Sequence, residues 1–177
     1  MKKSKYFIGC LFLFLSALPF TGCQPNTDDG AYTDPITLYE KIGGKWILSG
    51  ITQVDETAKA MNISPSEMNL TDQFSFTTFA IDLTVDAVNQ PTSYQVSGAA
   101  PELFPNQGWW DLDTSFPYAN GSAPKINLYS DVGKADLIGQ LSITSMPGAK
   151  KEMELKLTRS GDGVPFVSYI YRLTTAN

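Results

Sequence analysis

The sequence contains no histidine, so the commonest general base and the commonest metal ligand of proteins are both missing. It has only two cysteines, Cys10 and Cys23, and Cys10 lies in an N-terminal segment that we predict is removed. The mature chain would then form no disulfide and no thiolate metal site, and we predict no cofactor and no metal. The main apolar run, residues 6–20, has about 15 residues, fewer than the ~20 of a membrane-spanning helix.

The N-terminus has the three parts of a secretory signal. Residues 2, 3 and 5 are lysines, an apolar run follows, and small residues precede Cys23 in Phe20-Thr21-Gly22-Cys23. A cysteine at this point resembles a bacterial lipoprotein signal, which implies cleavage before Cys23 and attachment of lipid, such as palmitate, to its thiol. The alternative is an ordinary secretory peptide, which would leave Cys23 as a free thiol in an oxidising compartment.

This signal divides the chain into three predicted parts. Residues 1–22 are the signal peptide, residues 23–33 are a polar flexible tether, and residues 34–177 are one β-barrel domain. We expect a lipid-anchored protein of the cell envelope, at the outer membrane. The sequence leaves open whether the domain faces the periplasm or the outside.

The charge of the chain is acidic. The formal net charge is −5, and the loss of Lys2, Lys3 and Lys5 with the signal makes it −8. A chain this acidic is a poor candidate for nucleic acid or for an anionic membrane surface. We expect membrane contact through the lipid alone, no nucleic-acid partner and a monomer.

Two short helices are predicted before the second strand. In the first, Asp34 is the N-cap and Pro35 takes the first helical position. Leu38 and Ile42 share one face of this helix, and the two glycines at 43–44 end it.

The second predicted helix covers residues 65–70. The run Ser64-Pro65-Ser66-Glu67 has the spacing of a capping box. Four apolar residues would dock this helix on the domain. They are Met61, Ile63, Met68 and Leu70.

The remaining segments alternate apolar and polar residues, as antiparallel strands with one buried face do. Turn sequences rich in glycine, proline, asparagine and aspartate separate them. This spacing predicts an all-β fold, a meander closed into a barrel or folded as a sandwich. The eight predicted strands are residues 45–54, 74–85, 93–98, 109–114, 125–130, 137–146, 151–159 and 166–175.

Gly44-Lys45-Trp46 at the start of the first strand resembles the Gly-x-Trp signature of lipocalin-like families. The resemblance implies an eight-stranded antiparallel up-and-down barrel in which Trp46 closes one end. It also implies a basic residue of the last strand, here Arg172, packed over that tryptophan. A secreted, lipid-anchored chain of this size is similar to the lipocalin-like lipoproteins of unknown function in anaerobic Gram-negative bacteria.

An aromatic stretch interrupted by proline and glycine predicts ligand contact at a barrel mouth over residues 104–118. The alternative is that Trp109 and Trp110 point to opposite faces of one strand, one in the core and one on the surface. The predicted ligand-lining residues are Phe104, Trp109, Trp110, Phe116, Tyr118, Tyr169 and Tyr171.

Asp111 and Asp113 share one strand face and are the best pair for acid–base chemistry or calcium. No Asp-x-Asp-x-Asp-Gly loop accompanies them, so a solvated strand face is the simpler interpretation. No catalytic residue is predicted.

Three functions remain open. The first is a non-enzymatic module that binds a small apolar molecule or a glycan. The second is an interaction lipoprotein that docks a partner protein through its outer face or loops. The third is a carboxylate-based hydrolase. A filled interior favours docking, whereas a cavity of several hundred Å³ favours ligand capture.

Replacement of Cys23 by serine tests the lipid site. Because serine has no thiol to acylate, Cys23→Ser should leave an uncleaved or unanchored protein, measured by detergent partitioning and by the mass of the mature chain. Cys10→Ser is the matched control and should stay anchored. Complete partitioning of cleaved Cys23→Ser into detergent would contradict the prediction.

Overall fold

Nine antiparallel strands and two short α-helices lie in the part of the chain that the computed structural model describes, residues 34–176. The predicted signal, the tether and Cys23 lie outside these residues. The elements belong to a compact unit that begins at Pro35. They are α1 (Leu38–Ile42), β1 (Gly44–Asp55), α2 (Glu56–Ala60), β2 (Glu67–Asn69), β3 (Ala80–Val85), β4 (Pro91–Ser97), β5 (Gln107–Leu112), β6 (Lys125–Tyr129), β7 (Leu137–Ser145), β8 (Glu152–Gly161) and β9 (Val164–Thr175).

The sheet closes into a barrel. Strands β1 and β3 to β9 pair in chain order, and β9 pairs back onto β1 from Trp46↔Thr175 to Asp55↔Val167. Strand β2 is an addition, paired only with residues 52–54 of β1. The prediction of an all-β fold with an eight-stranded antiparallel barrel and short helices is therefore confirmed, and the sandwich alternative is not what the chain forms.

The interior of the barrel is filled with large apolar side chains. Successive side chains along each strand point alternately into and out of the barrel, as in antiparallel sheets with one buried face. The largest fully buried residues are Trp46, Trp110, Tyr94, Phe76, Leu38, Ile42, Ile51, Ile81, Leu83, Ile126, Leu128 and Leu141.

Helix α1 closes one end of the barrel, which we call the α1 end. Leu38 and Ile42, one turn apart, are both fully buried. The Trp46 indole Nε1 donates to the Ile42 carbonyl at 2.7 Å, which fixes the helix on the first strand. The N-cap is Thr37, whose hydroxyl accepts from the Glu40 amide at 3.3 Å, and not Asp34 as predicted. The helix starts later than predicted, and threonine is among the residues that favour the N-cap position.

The second predicted helix is wrong. Residues 67–69 of this segment form β2 beside β1, and the Asp55 amide donates to the Ser66 carbonyl at 2.8 Å. The helix forms instead at Glu56–Ala60, where the Asp55 carboxylate accepts from the Ala58 amide at 2.8 Å. Pairing with the free edge of β1 outweighed the local capping signal.

Two details of this connection follow from the correction. Of the residues expected to dock a helix, only Leu70 is buried, whereas Met61, Ile63 and Met68 are exposed. The predicted second strand is also too long. Residues 74 and 75 have φ of 50° and 58°, so the chain turns there, forms a short 3-10 helix at Phe76–Thr78 and becomes extended only from Ala80.

Helix α2 is fixed to the outer face of the barrel by one carboxylate. Glu56 Oε1 lies 2.6 Å from the Lys156 ammonium and accepts a hydrogen bond from the hydroxyl of the fully buried Ser168. These hydrogen bonds, Lys156 first and Ser168 second, hold the pKa of the Glu56 carboxyl below its ordinary value of 4.5. No helix within residues 34–176 is long and apolar enough to cross a membrane.

Truncation of Trp46 tests the closure of the α1 end. Trp46→Ala removes a buried indole and the bond to α1, and should cost about 3–5 kcal/mol of unfolding free energy in urea melts. Trp109→Ala, which removes a partly exposed indole, is the control and should cost less. A loss below about 1 kcal/mol for Trp46→Ala would show that α1 and Trp46 do not hold the end closed.

The Glu56 carboxylate should make stability depend on pH. Because its pKa is lower in the folded chain, its contribution is present above the unfolded value of 4.5 and is lost as pH falls through the folded value. Glu56→Gln should cost about 1–3 kcal/mol near pH 7, from urea melts, and should lose this acid-side dependence. Glu67→Gln, in the exposed pair with Lys59, is the matched control and should cost less than about 1 kcal/mol. Equal losses in the two variants would contradict the assignment.

Candidate functional site

The seven aromatic residues predicted to line a ligand do not share one surface. Strand β5 runs the length of the barrel wall between Phe104 and Phe116, so these two residues lie at opposite ends. The end opposite α1, which carries the connection 98–106, is called the far end below. Residues 104–118 therefore do not meet at one barrel mouth, and ligand contact by any of them stays a prediction.

At the far end, Phe104 and Tyr171 close the barrel together with Phe79. The ring centroid of Tyr171 lies 5.1 Å from that of Phe79 and 6.0 Å from that of Phe104. Burial raises the pKa of the Tyr171 hydroxyl. The Arg159 guanidinium donates to the Leu103 carbonyl of the connection above. The space under this connection is only about 50 Å³. Ligand pockets are typically about 300–1,000 Å³, so this end holds no ready-made ligand cavity.

Four more of the predicted aromatic residues either have structural contacts or lie apart from the far end. Tyr169 is partly buried against the core beside Tyr171. Trp110 is fully buried, and its indole Nε1 donates to the Thr84 carbonyl at 2.9 Å. Phe116 and Tyr118 lie in the connection after β5 with 43% and 38% of their surfaces exposed.

Trp109 lies in a groove on the outer face of the barrel. It is partly exposed, and the neighbouring Trp110 points into the core, so the alternative of opposite faces describes this pair correctly. The groove has a volume of about 380 Å³. It is lined by Ser93, Tyr94, Gln95, Gln107, Gly108, Trp109 and Ser130.

Strand pairing sets the floor of this groove. Ser93 lies opposite Trp109, and Gln95 lies opposite Gln107, so four outward side chains form one patch across β4 and β5. Between Gln107 and Trp109, Gly108 pairs with the buried Tyr94. A Cβ at this position would lie 2.3 Å from the Tyr129 carbonyl, a distance that real side chains do not adopt.

The loop between β6 and β7 provides a wall. The Ser130 hydroxyl donates to Asp136 Oδ2 at 2.5 Å, and the Asp131 carboxylate accepts from the amides of Ala135 and Asp136 at 3.0 and 2.8 Å. The loop therefore has a defined shape that its own side chains maintain.

A polar network ties this wall to the barrel. Lys134 Nζ lies 2.9 Å from Asp111 Oδ2 and donates to the Pro91 carbonyl at 3.1 Å. The Tyr39 hydroxyl of α1 donates to Asp111 Oδ1 at 3.0 Å, and burial, with Asp111 as a further cause, raises the pKa of Tyr39. Loop, strand and helix α1 are thereby joined through one carboxylate.

The candidate acid–base pair has structural partners. Both oxygens of Asp111 are engaged by the network with Lys134 and Tyr39. Asp113 Oδ1 accepts from the Lys125 amide at 2.8 Å. Among residues 34–176, no group of three or more histidine, cysteine, aspartate or glutamate side chains is arranged to hold a metal ion.

Arg172 lies on the outer face of β9. Its guanidinium contacts Glu154 (Nε to Oε2, 3.4 Å) and Thr52 (Nη1 to Oγ1, 3.2 Å). Strand pairing places Arg172 beside Gly50, well along β1 from Trp46. The packing over Trp46 that the resemblance implied is therefore not among its contacts. Trp46 itself is buried at the α1 end, with α1 against it.

Sequence reasoning found Trp109 but missed the polar residues around it, which are Ser93, Gln95, Gln107 and Ser130. Alternation along β4 and β5 marks the first three as outward facing. The pairing register that brings them together, and the fold of the loop that adds Ser130, carry no signal in a single sequence.

Comparison with known proteins gives one match. The family described as Domain of unknown function (DUF5004) matches residues 23–174. Neither a curated protein nor a solved structure matches the chain.

Proposed function

Since the chain belongs to the DUF5004 family, whose function its description leaves open, we propose a function from the site itself. The protein is a non-enzymatic binding module of the cell envelope, and it holds a sugar ring of a glycan in the outer groove at Trp109. The observation that carries this proposal is a partly exposed indole beside side-chain amides and hydroxyls in a groove of about 380 Å³.

The barrel interior is a poor place for a ligand. Its core is continuous from Trp46 through Trp110 to Tyr171, and the space under the far-end connection is about 50 Å³. A filled interior argues against capture of an apolar molecule inside the barrel. Of the two ligand classes predicted from the sequence, the outer groove favours the glycan.

The three tryptophans differ in how their indole N–H groups are used. Trp46 and Trp110 are buried, and each donates its N–H to a backbone carbonyl. Trp109 is partly exposed, and within the described residues its N–H has no hydrogen-bond partner. A partly exposed indole in a groove offers both an apolar surface and an N–H donor.

The remaining lining suits a hydroxylated ring. Gln95 and Gln107 are exposed, and neither side-chain amide hydrogen-bonds to another group of residues 34–176. Each amide offers a donor and an acceptor, and the Ser93 and Ser130 hydroxyls add further groups. A pyranose combines an apolar C–H face with a rim of hydroxyls, which matches a flat indole surrounded by amides and hydroxyls.

The envelope location rests on the N-terminal signal. With lipid on Cys23, the tether of residues 23–33 would allow the barrel to lie up to about 30 Å from the membrane. A lipid-anchored module with an outward groove is suited to hold a glycan near the cell. The absence of histidine and the structural bonds of Asp111 and Asp113 support a module without catalysis.

One observation favours docking of a partner protein as a second function. Several large apolar side chains near the far end of the barrel are exposed, each by half or more of its surface. They are Met61, Ile63, Met68, Phe74, Val164 and Phe166.

Truncation of Trp109 tests the proposed function. Trp109→Ala should weaken glycan binding by about 1–3 kcal/mol, the usual loss for a stacked or buried aromatic ring. The measurement is calorimetric titration with gluco-, xylo-, galacto- and N-acetylglucosamine oligosaccharides, combined with tryptophan fluorescence.

Phe116→Ala is the matched control, because it removes an exposed aromatic ring that lies in the connection after β5 and does not line the groove. This variant should leave binding unchanged. The proposal is contradicted if no oligosaccharide binds, or if the two variants bind equally well.

A further inference from the structure

We infer that the groove at Trp109 selects neutral sugars and rejects sugars that carry a carboxylate, sulfate or phosphate. The inference rests on the proposed function and names its ligand class. It follows from the charges around the groove and from the direction of one hydrogen bond.

The lining itself carries no charge at neutral pH. It consists of serine, glutamine, glycine, tryptophan and Tyr94, whose pKa is raised to about 12 by burial. No arginine or lysine lines the groove, so an anionic ligand would find no bidentate or cationic partner there.

The loop that forms the wall of the groove, together with the network that holds it, carries more negative than positive charges. Asp131 and Asp136 belong to the wall loop, and Asp111 lies beneath it. The nearby cation, Lys134, is bound to Asp111 and to the Pro91 carbonyl, so its charge is already compensated. Three carboxylates and one ammonium leave a negative potential within a Debye length of the ligand.

The Ser130 hydroxyl adds a directional criterion. Its hydrogen is donated to Asp136 Oδ2 at 2.5 Å, so toward the groove Ser130 Oγ offers only acceptor lone pairs. A sugar hydroxyl can donate to it. An ionised carboxylate or sulfate can only accept, and it would in addition lie close to the Asp136 charge.

Matched oligosaccharides test this selectivity. A β-1,4-glucan hexamer and the β-1,4-glucuronan hexamer share ring and linkage and differ only in oxidation at C6. The monosaccharides galactose and galacturonic acid, which also differ only in oxidation at C6, form a second matched pair. Calorimetric titration at low ionic strength should show that the neutral member of a matched pair binds roughly tenfold or more tightly than the acidic member. Addition of 0.5 M NaCl should reduce the difference.

Asp136→Asn tests the source of the selectivity, because an asparagine keeps an acceptor for Ser130 and removes the charge. The ratio of neutral to acidic affinity should fall several-fold in this variant. Asp162→Asn, an exposed acid in the turn between β8 and β9, is the matched control and should leave the ratio unchanged.

The outcomes separate the two proposals. Equal binding of the neutral and acidic members by the wild-type protein would overturn the selectivity, and an unchanged ratio in Asp136→Asn would overturn its assignment to the charge of Asp136. Either result leaves Trp109-dependent glycan binding intact. Absence of binding by every oligosaccharide would overturn the proposed function itself.

Discussion

The alternation of side chains along a strand in a closed barrel is the constraint on which the other features depend. Trp109 and Trp110 are adjacent in β5, yet one lies in a groove on the outer face and the other is fully buried. Closure through the pairing of β1 with β9 makes inside and outside distinct for every strand. The same rule places Arg172 outside and Tyr171 inside, so neighbouring residues of β9 have separate roles.

A filled interior is the reason that the proposed binding surface lies on the outside of the barrel. Trp46, Trp110 and Tyr171 occupy the volume that a ligand would need, and each is fixed by packing or by a hydrogen bond. Emptying such a core costs several kcal/mol per large side chain. Binding in the outer groove would not require the core to be emptied, because the floor of the groove is a two-stranded surface and its wall is a loop closed by its own hydrogen bonds.

How much could be predicted from the sequence depends on how local each feature is. The strands and the buried pair Leu38 and Ile42 follow from local periodicity, and both are found. The helix expected at 65–70 failed because the free edge of β1 offered pairing that no local signal reports. Residues 104–118 do not share one surface for a similar reason, since β5 carries the two ends of this segment to opposite ends of the barrel. The groove combines β4, β5 and the loop between β6 and β7. Its prediction would therefore have required the pairing register of these strands.

The wall of the groove is part of the fold rather than an addition to it. Lys134 reaches Asp111, which also binds Tyr39 of the helix that closes the α1 end. Because Lys134 and Asp111 are each less than one third exposed, their pairing is less screened than a surface ion pair. The loop position is thereby tied to α1 and, through the Ile42 carbonyl, to Trp46. A binding surface held in this way loses little conformational entropy when a ligand binds, so even a shallow groove with few polar contacts can discriminate between ligands.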